Sequence, residues 1–485
     1  MRVGRGGRSG GGESVAPVDR IAGGERVGAG SRIGEGGHGT EPPPAGKIRP
    51  FSFPEVVSGA LDNGLQTRVA RLPRIPMATA TVVLNAGESW LSDDRAGLAV
   101  VTGDCLDGGT EKRSGADLAE ALEGLGADLS VATGWDSTTV SLSCHADRLS
   151  EGFALLAEVI REPAFPEGEV ARVRNQQLAT LAQRKVVPSK LAVDHALRGI
   201  YAEGIPYGRP IDGVGGAVEG IGAESTKTFV DEAYRPGDGG LVVAGDVDED
   251  EVLGLARDHL GGWSGEARGR PEFDVEPRVR ERRIVVVDRP GSVQSELRMG
   301  HVGIRRTSED YFPLRVFNTL LGGSFTSRLN QRLREERGFT YGVRSRFSTR
   351  RLPGPFMVST AVETAVTADA VADIVQVLDG VLDEGPTQKE VESARDFIVG
   401  VFPLRFETTS QVSSRVAELI VYGLPDDYHA TYRDRIREVT PGAALEAARR
   451  NVRPGEMAIV VVGAAEEVRG PLEELELGPV KVVSP

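Results

Sequence analysis

At 485 residues the chain exceeds the size of one compact domain, so two domains of roughly 200 residues and an additional segment are expected. The hydrophobic fraction of 40% and the charged fraction of 26% are ordinary for a soluble globular protein. The net charge of −14 argues against nucleic-acid and anionic-membrane binding, which basic surfaces drive, and leaves basic or neutral peptides as tolerated partners.

The first 48 residues form a Gly/Arg/Ser-rich extension with few large apolar side chains. Such a segment cannot bury enough surface to offset its ordering entropy, so residues 1–48 are expected to be disordered. The chain has no apolar run close to the roughly 18 residues of a membrane span, and its N-terminus lacks the apolar core of a secretory signal. These features predict a cytoplasmic protein, unless Met1 is a wrongly assigned start that hides the true compartment.

The first half then alternates between strand and helix patterns. Residues 79–84 form an apolar and threonine-rich run that predicts a buried strand, and Ser114 with Asp117 three residues later is typical of a capped helix start. Alternating apolar residues predict a hairpin over residues 128–144. Apolar side chains at helical spacing predict an amphipathic helix over residues 153–160.

The second half repeats features of the first half at a nearly constant offset. The helical pattern that starts at Phe153 recurs at Val371, and Glu169-Val170 recurs as Glu390-Val391. Arg235-Pro236-Gly237 recurs as Arg453-Pro454-Gly455. The offsets are 218, 221 and 218 positions. An internal duplication explains this order better than chance similarity between unrelated domains. We therefore predict two similar domains, residues 50–265 and 280–475, joined by a polar linker over residues 266–279.

The histidines of the chain do not show the spacing of a metal site. The six histidines are far apart in the sequence: His38, His145, His195, His259, His301 and His429. No His-x-x-Glu-His or His-Glu-x-x-His motif is present. A site assembled from distant histidines stays open as an alternative, whereas satisfied core or surface histidines are the expected reading.

The densest local pattern is LGGSFTSRLNQRLREERGFTYGV, residues 321–343. The glycine pair permits a tight turn, and Ser324 or Thr326 is suited to cap the helix that follows. Gly338 suits the end of that helix, and residues 339–343 suit a strand. From the residues alone, this is a capped surface helix that leads into a strand.

This run closely resembles the second-domain signature of the insulinase/pitrilysin peptidases, the family that includes mitochondrial processing peptidase. Four runs of the first half resemble that family's first-domain landmarks in order and spacing: LDNGLQTRVAR (61–71), LNAGESWLSDDRAGLA (84–99), LDGGT (106–110) and IPYGRP (205–210). The resemblance covers about residues 50–470. It implies an α+β chain of two tandem homologous domains with the mitochondrial-processing-peptidase/LuxS-like metallohydrolase fold, each a mostly antiparallel sheet with helices on one face.

The chain departs from the family at the zinc site. Active members carry His-x-x-Glu-His after Gly-Leu-Ala, with two ligand histidines and a glutamate base, and a third ligand about 76 residues later. In this chain the two histidine positions hold Val100 and Asp104. The base position holds Gly103, and the position of the third ligand holds Thr180. Valine and glycine offer no ligand, and one isolated aspartate binds zinc too weakly. The resemblance therefore implies a chain with no catalytic residues of its own and no metal.

The family's arginine and tyrosine, seven residues apart, match Arg334 and Tyr341. The resemblance implies that this pair holds peptide beside the scissile bond of a homologous, zinc-bearing partner, so that a heterodimeric peptidase is expected, with peptide substrates and with zinc in the partner subunit. Two alternatives stay open. One is a purely structural homologue in a larger assembly, and the other is an active peptidase with a relocated metal site.

Overall fold

The computed structural model describes residue 46 and residues 48–485. The disorder expected for residues 1–48 therefore falls almost wholly outside the described residues. Among the helices that the structure describes, none combines the length and the apolarity that a bilayer span requires.

In the first half, the strands are β1 (Val56–Ala60), β2 (Gln66–Arg71), β3 (Met77–Leu84), β4 (Asp128–Thr133), β5 (Thr138–His145) and β6 (Gly240–Gly245). The helices are α1 (Leu98–Asp104), α2 (Gly115–Leu125), α3 (Leu149–Arg161), α4 (Glu167–Val186), α5 (Pro188–Ile200), α6 (Gly215–Glu219), α7 (Ala223–Ala233) and α8 (Glu249–Leu260).

In the second half, the strands are β7 (Arg283–Asp288), β8 (Gln294–Val302), β9 (Arg344–Phe347), β10 (Pro355–Glu363), β11 (Ala458–Gly463) and β12 (Val480–Val483). The helices are α9 (Tyr311–Asn318), α10 (Arg328–Asn330), α11 (Thr367–Glu384), α12 (Gln388–Val401), α13 (Thr409–Tyr422), α14 (Tyr428–Arg437), α15 (Pro441–Asn451) and α16 (Ala465–Glu474).

Each half folds around its own sheet. The first sheet has the order β1-β2-β6-β3-β5-β4, with β2 and β6 parallel and the other neighbours antiparallel. The second has the order β12-β7-β11-β8-β10-β9, in which β7 pairs in parallel with β12 and β11. The expected α+β fold of two tandem, mostly antiparallel domains is confirmed.

Local sequence chemistry explains the early elements. Ser114 accepts the Asp117 N–H and its own N–H bonds the Asp117 carboxylate, a capping box that begins α2 as predicted. The predicted buried strand is β3, the predicted hairpin is β4 and β5, and the predicted amphipathic helix is α3. Its counterpart α11 begins at Thr367, 218 positions after the start of α3 at Leu149.

One face of each sheet is covered by a helix from the opposite half of the chain. Helix α13 lies on the first sheet, where the Thr81 hydroxyl is 2.7 Å from that of Ser413 and the Thr79 hydroxyl is 2.8 Å from that of Thr409. Helix α5 lies on the second sheet. Its Leu191, Ala192 and Ala196 pack against Val287, Val460 and Val462. The central strands are therefore buried on both faces, which explains their continuous small and apolar runs.

Candidate functional site

The sequence-predicted zinc-site positions surround one cavity of about 510 Å³ in the first half. Helix α1 contributes Val100, Gly103 and Asp104, and Thr180 projects from α4. The structure thus brings together all four positions, although Thr180 is distant from the others in sequence. Edge strand β4 forms the opposite wall through Leu129 and Val131.

A buried carboxylate holds the start of α1. Glu88 has no exposed surface, and its two oxygens accept the N–H groups of Gly97 (3.1 Å), Ala99 (3.0 Å) and Val100 (3.3 Å). These donors lie in the first turn of the helix, where they would otherwise lack partners. Burial raises the pKa of Glu88, while the N–H donors and Arg209 act in the opposite direction.

Arg209 joins two of the sequence landmarks. Its guanidinium lies 3.4 Å from the Glu88 carboxylate, donates to the Leu91 carbonyl (2.9 Å) and pairs with Asp93 (3.0 Å). LNAGESWLSDDRAGLA and IPYGRP therefore meet at this ion pair. Neither Glu88 nor Arg209 was predicted as a site residue, and their function is to fix α1 beside the cavity. No local pattern distinguished Glu88 from the other polar residues of the first run.

The donor set of the cavity does not fit a zinc ion. Val100 and Gly103 carry no donor atom, and the Thr180 hydroxyl donates to the Gln176 carbonyl at 3.1 Å. Burial raises the pKa of Asp104, as do the nearby carboxylates of Asp107 and Asp212. Across residue 46 and residues 48–485, no group of three or more His, Cys, Asp or Glu side chains is placed to hold a metal.

The base position is also closed sterically. A Cβ atom on Gly103 would lie 2.3 Å from the Thr133 hydroxyl oxygen, because α1 approaches β4 closely at this point. A glutamate at position 103 would therefore require β4 or the Thr133 side chain to shift. Positions 100, 103 and 180 of the first-half cavity therefore lack the ligands and the base that the family's catalytic chemistry requires.

The second half contains a larger cavity, of about 1020 Å³, which both Arg334 and Tyr341 line. Edge strand β9 borders it. The two cavities have no lining residue in common. The structure thus brings the arginine and the tyrosine to one cavity, separate from the degenerate zinc positions of the same chain.

Arg334 lies on a widened helix. Ser327 precedes α10, so the prediction that Ser324 or Thr326 caps this helix was wrong. Helix α10 continues as a π-helical stretch over Gln331–Glu336, a local geometry that is frequent at functional sites. The Arg334 guanidinium lies over the Phe325 ring, 4.0 Å from its centroid. Phe325 is 66% exposed and was missed as a site residue, although an aromatic side chain after a glycine pair was a usable signal.

Tyr341 is displayed on a turn. Residues 339–343 were predicted to form a strand, but that strand begins only at Arg344. The reason is local: Gly338 adopts a positive φ of 67°, and the Thr340 hydroxyl accepts the Gly342 N–H at 3.1 Å, which holds a turn. The turn leaves Tyr341 97% exposed. Its phenol is therefore accessible to a binding partner.

Asn330 is a second residue that the sequence analysis missed. It is buried, and its side-chain amide donates to the carbonyls of Ser324 (3.1 Å) and Val343 (2.9 Å) while its oxygen accepts the Val343 N–H (3.1 Å). These bonds tie the glycine-rich turn to the start of β9. An asparagine in the middle of a helical pattern is a poor helix former, and that was the available signal.

Helix α10 is fixed to α12 by an ion pair whose contribution to stability depends on pH. Arg328 donates to Glu390 at 2.6 and 2.8 Å, and these bonds, together with the Thr387 cap, lower the pKa of Glu390 to about 2. We expect Glu390→Gln to lower the free energy of unfolding at pH 7 by about 1–3 kcal/mol. Because the folded-state pKa is depressed, the difference is fully present above the ordinary value of 4.5 and shrinks as the pH falls towards 2.

Urea unfolding of both chains at several pH values between 7 and 3 measures this difference. Glutamine keeps the size of residue 390 and one acceptor oxygen for the Thr387 cap, and it removes the charge and the second acceptor that Arg328 uses. A difference between the two chains that does not change with pH would contradict the assignment.

Family models match most of the described chain. Residues 69–211 match insulinase (peptidase family M16), and residues 220–397 match the peptidase M16 inactive domain. An uncharacterized zinc protease of Mycobacterium tuberculosis is 29% identical over 386 residues, covering 78% of this chain and 87% of that protein. The non-peptidase homolog YmxG of Helicobacter pylori is 24% identical over 370 residues, covering 76% and 84%.

Solved structures agree with the family models. A peptidase M16 inactive domain from Pseudomonas fluorescens superposes with a TM-score of 0.79 at 27% identity, covering 84% of this chain and 98% of that one. A protease from Helicobacter pylori superposes with a TM-score of 0.79 at 18% identity, covering 85% and 100%. The resemblance inferred from the motifs is confirmed: the chain belongs to the insulinase family, peptidase family M16, as a homologue of its inactive-domain proteins.

Proposed function

We propose that this chain binds peptide and supplies Arg334 and Tyr341 to the active site of a zinc-bearing partner of the same family. One observation carries the proposal. Arg334 and Tyr341 line a single open cavity, whereas the positions of the family's zinc ligands and base in the same chain hold Val100, Asp104, Thr180 and Gly103. A chain that keeps only the substrate-holding pair is suited to complement a chain that keeps the metal.

The two side chains suit that role chemically. Guanidinium and phenol groups donate hydrogen bonds to a peptide carbonyl and stabilise negative charge that develops on its oxygen. The partner's zinc supplies the activated water. Tyr341 is exposed in the isolated chain, so a second subunit can reach it. When that subunit covers the cavity, Arg334 and Tyr341 are removed from bulk water, and their hydrogen bonds to the peptide become stronger.

Edge strand β4 gives the first half a place to hold an extended peptide, since it ends the first sheet beside Asp104. An unpaired strand edge offers a row of N–H and carbonyl groups to which a peptide can add as a further strand. This mode binds many sequences, since it relies on the peptide backbone. In the second half, Asn318 and Asn330 bond the outward backbone groups of Ser345 and Val343, so a peptide there would be held by side chains.

Peptide hydrolysis by a mixture of subunits tests the proposal. A quenched mixed-peptide substrate with zinc is given to this chain alone, to the zinc-motif homologue encoded nearest to it, and to both together. We expect activity in the mixture well above the sum of the separate chains. Silence in the mixture would favour the structural role in a larger assembly. Activity from this chain alone would indicate a relocated metal site.

A further inference from the structure

The cavity that Arg334 and Tyr341 line is strongly basic. Seven arginines line it: Arg306, Arg315, Arg334, Arg344, Arg346, Arg405 and Arg415. The single acidic side chain among its lining residues is Glu418. This concentration of positive charge occurs in a chain whose net charge is −14. A low-dielectric concave surface of one sign focuses its field on the ligand that enters.

Most of this charge has no carboxylate partner within the protein. Arg415 pairs with Glu418, and Arg334 lies 3.7 Å from Glu335. Within residues 48–485, the other five arginines of the cavity form no salt bridge. On the neighbouring surface, by contrast, Arg332 and Arg337 both pair with the Asp373 carboxylate. Arginines that only stabilise the fold would be expected to have such partners.

Among the residues that the structure describes, the buried Arg306 and the half-buried Arg405 also lack a carboxylate partner. Arg306 is 7% exposed, and its guanidinium faces the rings of Tyr311 (4.0 Å) and Tyr428 (4.7 Å). Aromatic faces stabilise the cation without cancelling its charge. Burial lowers the pKa of Arg405, and the nearby charges of Arg315 and Arg415 lower it further. Arg315 and Arg415 therefore repel Arg405, and an incoming anion would relieve that repulsion.

Strand β9 sets the distance between two of these arginines. Arg344 and Arg346 are exposed, while Ser345 between them is buried, so the two arginines lie on the same face of the strand. Residues two apart in a strand are separated by about 7 Å. An extended peptide that lies along this face presents its own alternate side chains at the same interval.

We propose that this cavity selects acidic peptide segments, with carboxylates at alternating positions that pair with Arg344 and Arg346. The inference rests on the proposed peptide-binding function and names its substrate class. It reverses the expectation from net charge, which favoured basic or neutral peptides, because the local charge at the cavity is opposite to that of the whole chain. The same net charge disfavours a long nucleic acid, whose remaining phosphates would face an acidic surface.

Binding of labelled peptides to the full chain, followed by fluorescence anisotropy, tests the proposal. The probes are a short extended peptide with Glu at every second position and its counterpart with Gln at those positions. We expect the Glu peptide to bind about tenfold more tightly at low salt and this preference to shrink as salt screens the charges. The double variant Arg344→Gln/Arg346→Gln should lose most of the preference.

A matched control has the same change in net charge. Arg148→Gln/Arg257→Gln removes two exposed arginines from the first half and should keep the preference. Equal binding of Glu and Gln peptides would overturn the acidic selectivity while leaving the complementing role intact. Tighter binding of a single-stranded oligonucleotide of equal charge would overturn the assignment to peptides. Binding of no peptide would overturn this inference together with the peptide-binding part of the proposed function.

Discussion

Replacing Arg334 by alanine is expected to lower peptide hydrolysis by the mixed subunits by about 10²–10³-fold, and Tyr341→Phe is expected to have an effect of similar size. Each change removes a hydrogen-bond donor from the place where charge develops on the scissile carbonyl. Such donors act in the transition state, so kcat should fall more than KM rises. Initial rates against substrate concentration, at saturating partner subunit, give both constants.

Controls separate this effect from misfolding or lost assembly. Arg257→Ala removes an exposed arginine from α8 and should leave hydrolysis unchanged. Tyr341→Phe should also leave the melting temperature unchanged, because residue 341 is almost fully exposed. If both site variants keep full activity in the mixture, the pair does not contribute to catalysis and the complementing role is wrong.

Replacing Glu88 by alanine is expected to lower the free energy of unfolding by about 3–5 kcal/mol. The substitution leaves the Gly97, Ala99 and Val100 N–H groups without their acceptor and leaves Arg209 with one fewer carboxylate in a buried site. Because native proteins are stable by only about 5–15 kcal/mol, this single change removes a large share of the total. Urea unfolding at pH 7 measures it.

Glu88→Gln and an exposed glutamate provide the comparison. Glutamine keeps one acceptor oxygen but turns a donor towards N–H groups, so we expect an intermediate loss of about 1–3 kcal/mol. Glu120→Ala on the exposed face of α2 should change the free energy of unfolding by less than about 0.5 kcal/mol. If Glu88→Ala were as mild as Glu120→Ala, the buried carboxylate would not be what fixes α1.

Features encoded by neighbouring residues could be predicted from the sequence. The Ser114–Asp117 capping box, the apolar face of α3 and the alternation of β5 depend on side chains a few positions apart. The duplication and the family could also be inferred, because motif order and spacing extend over much of the chain. The Arg334–Tyr341 pair was found through the motif, since nothing in its local physics distinguished it from other exposed residues.

The remaining features depend on contacts between distant residues. Glu88 and Arg209 are brought together only by the folded first half. The turn that exposes Tyr341 depends on Gly338 and on Thr340, whose hydroxyl also reaches Thr360 in β10. The clustering of arginines beside β9 needs residues from α9, α13 and the loop after α12, which no local pattern connects.

The reciprocal packing of α5 and α13 bears on how such a chain arose. Each half lends one helix to the sheet of the other half, so an isolated half would leave one face of its sheet uncovered. A single ancestral unit with this topology could satisfy itself only as a symmetric pair that exchanged identical helices. In the present chain, a substitution on the packed face of α5 or α13 therefore acts on the core of the opposite half.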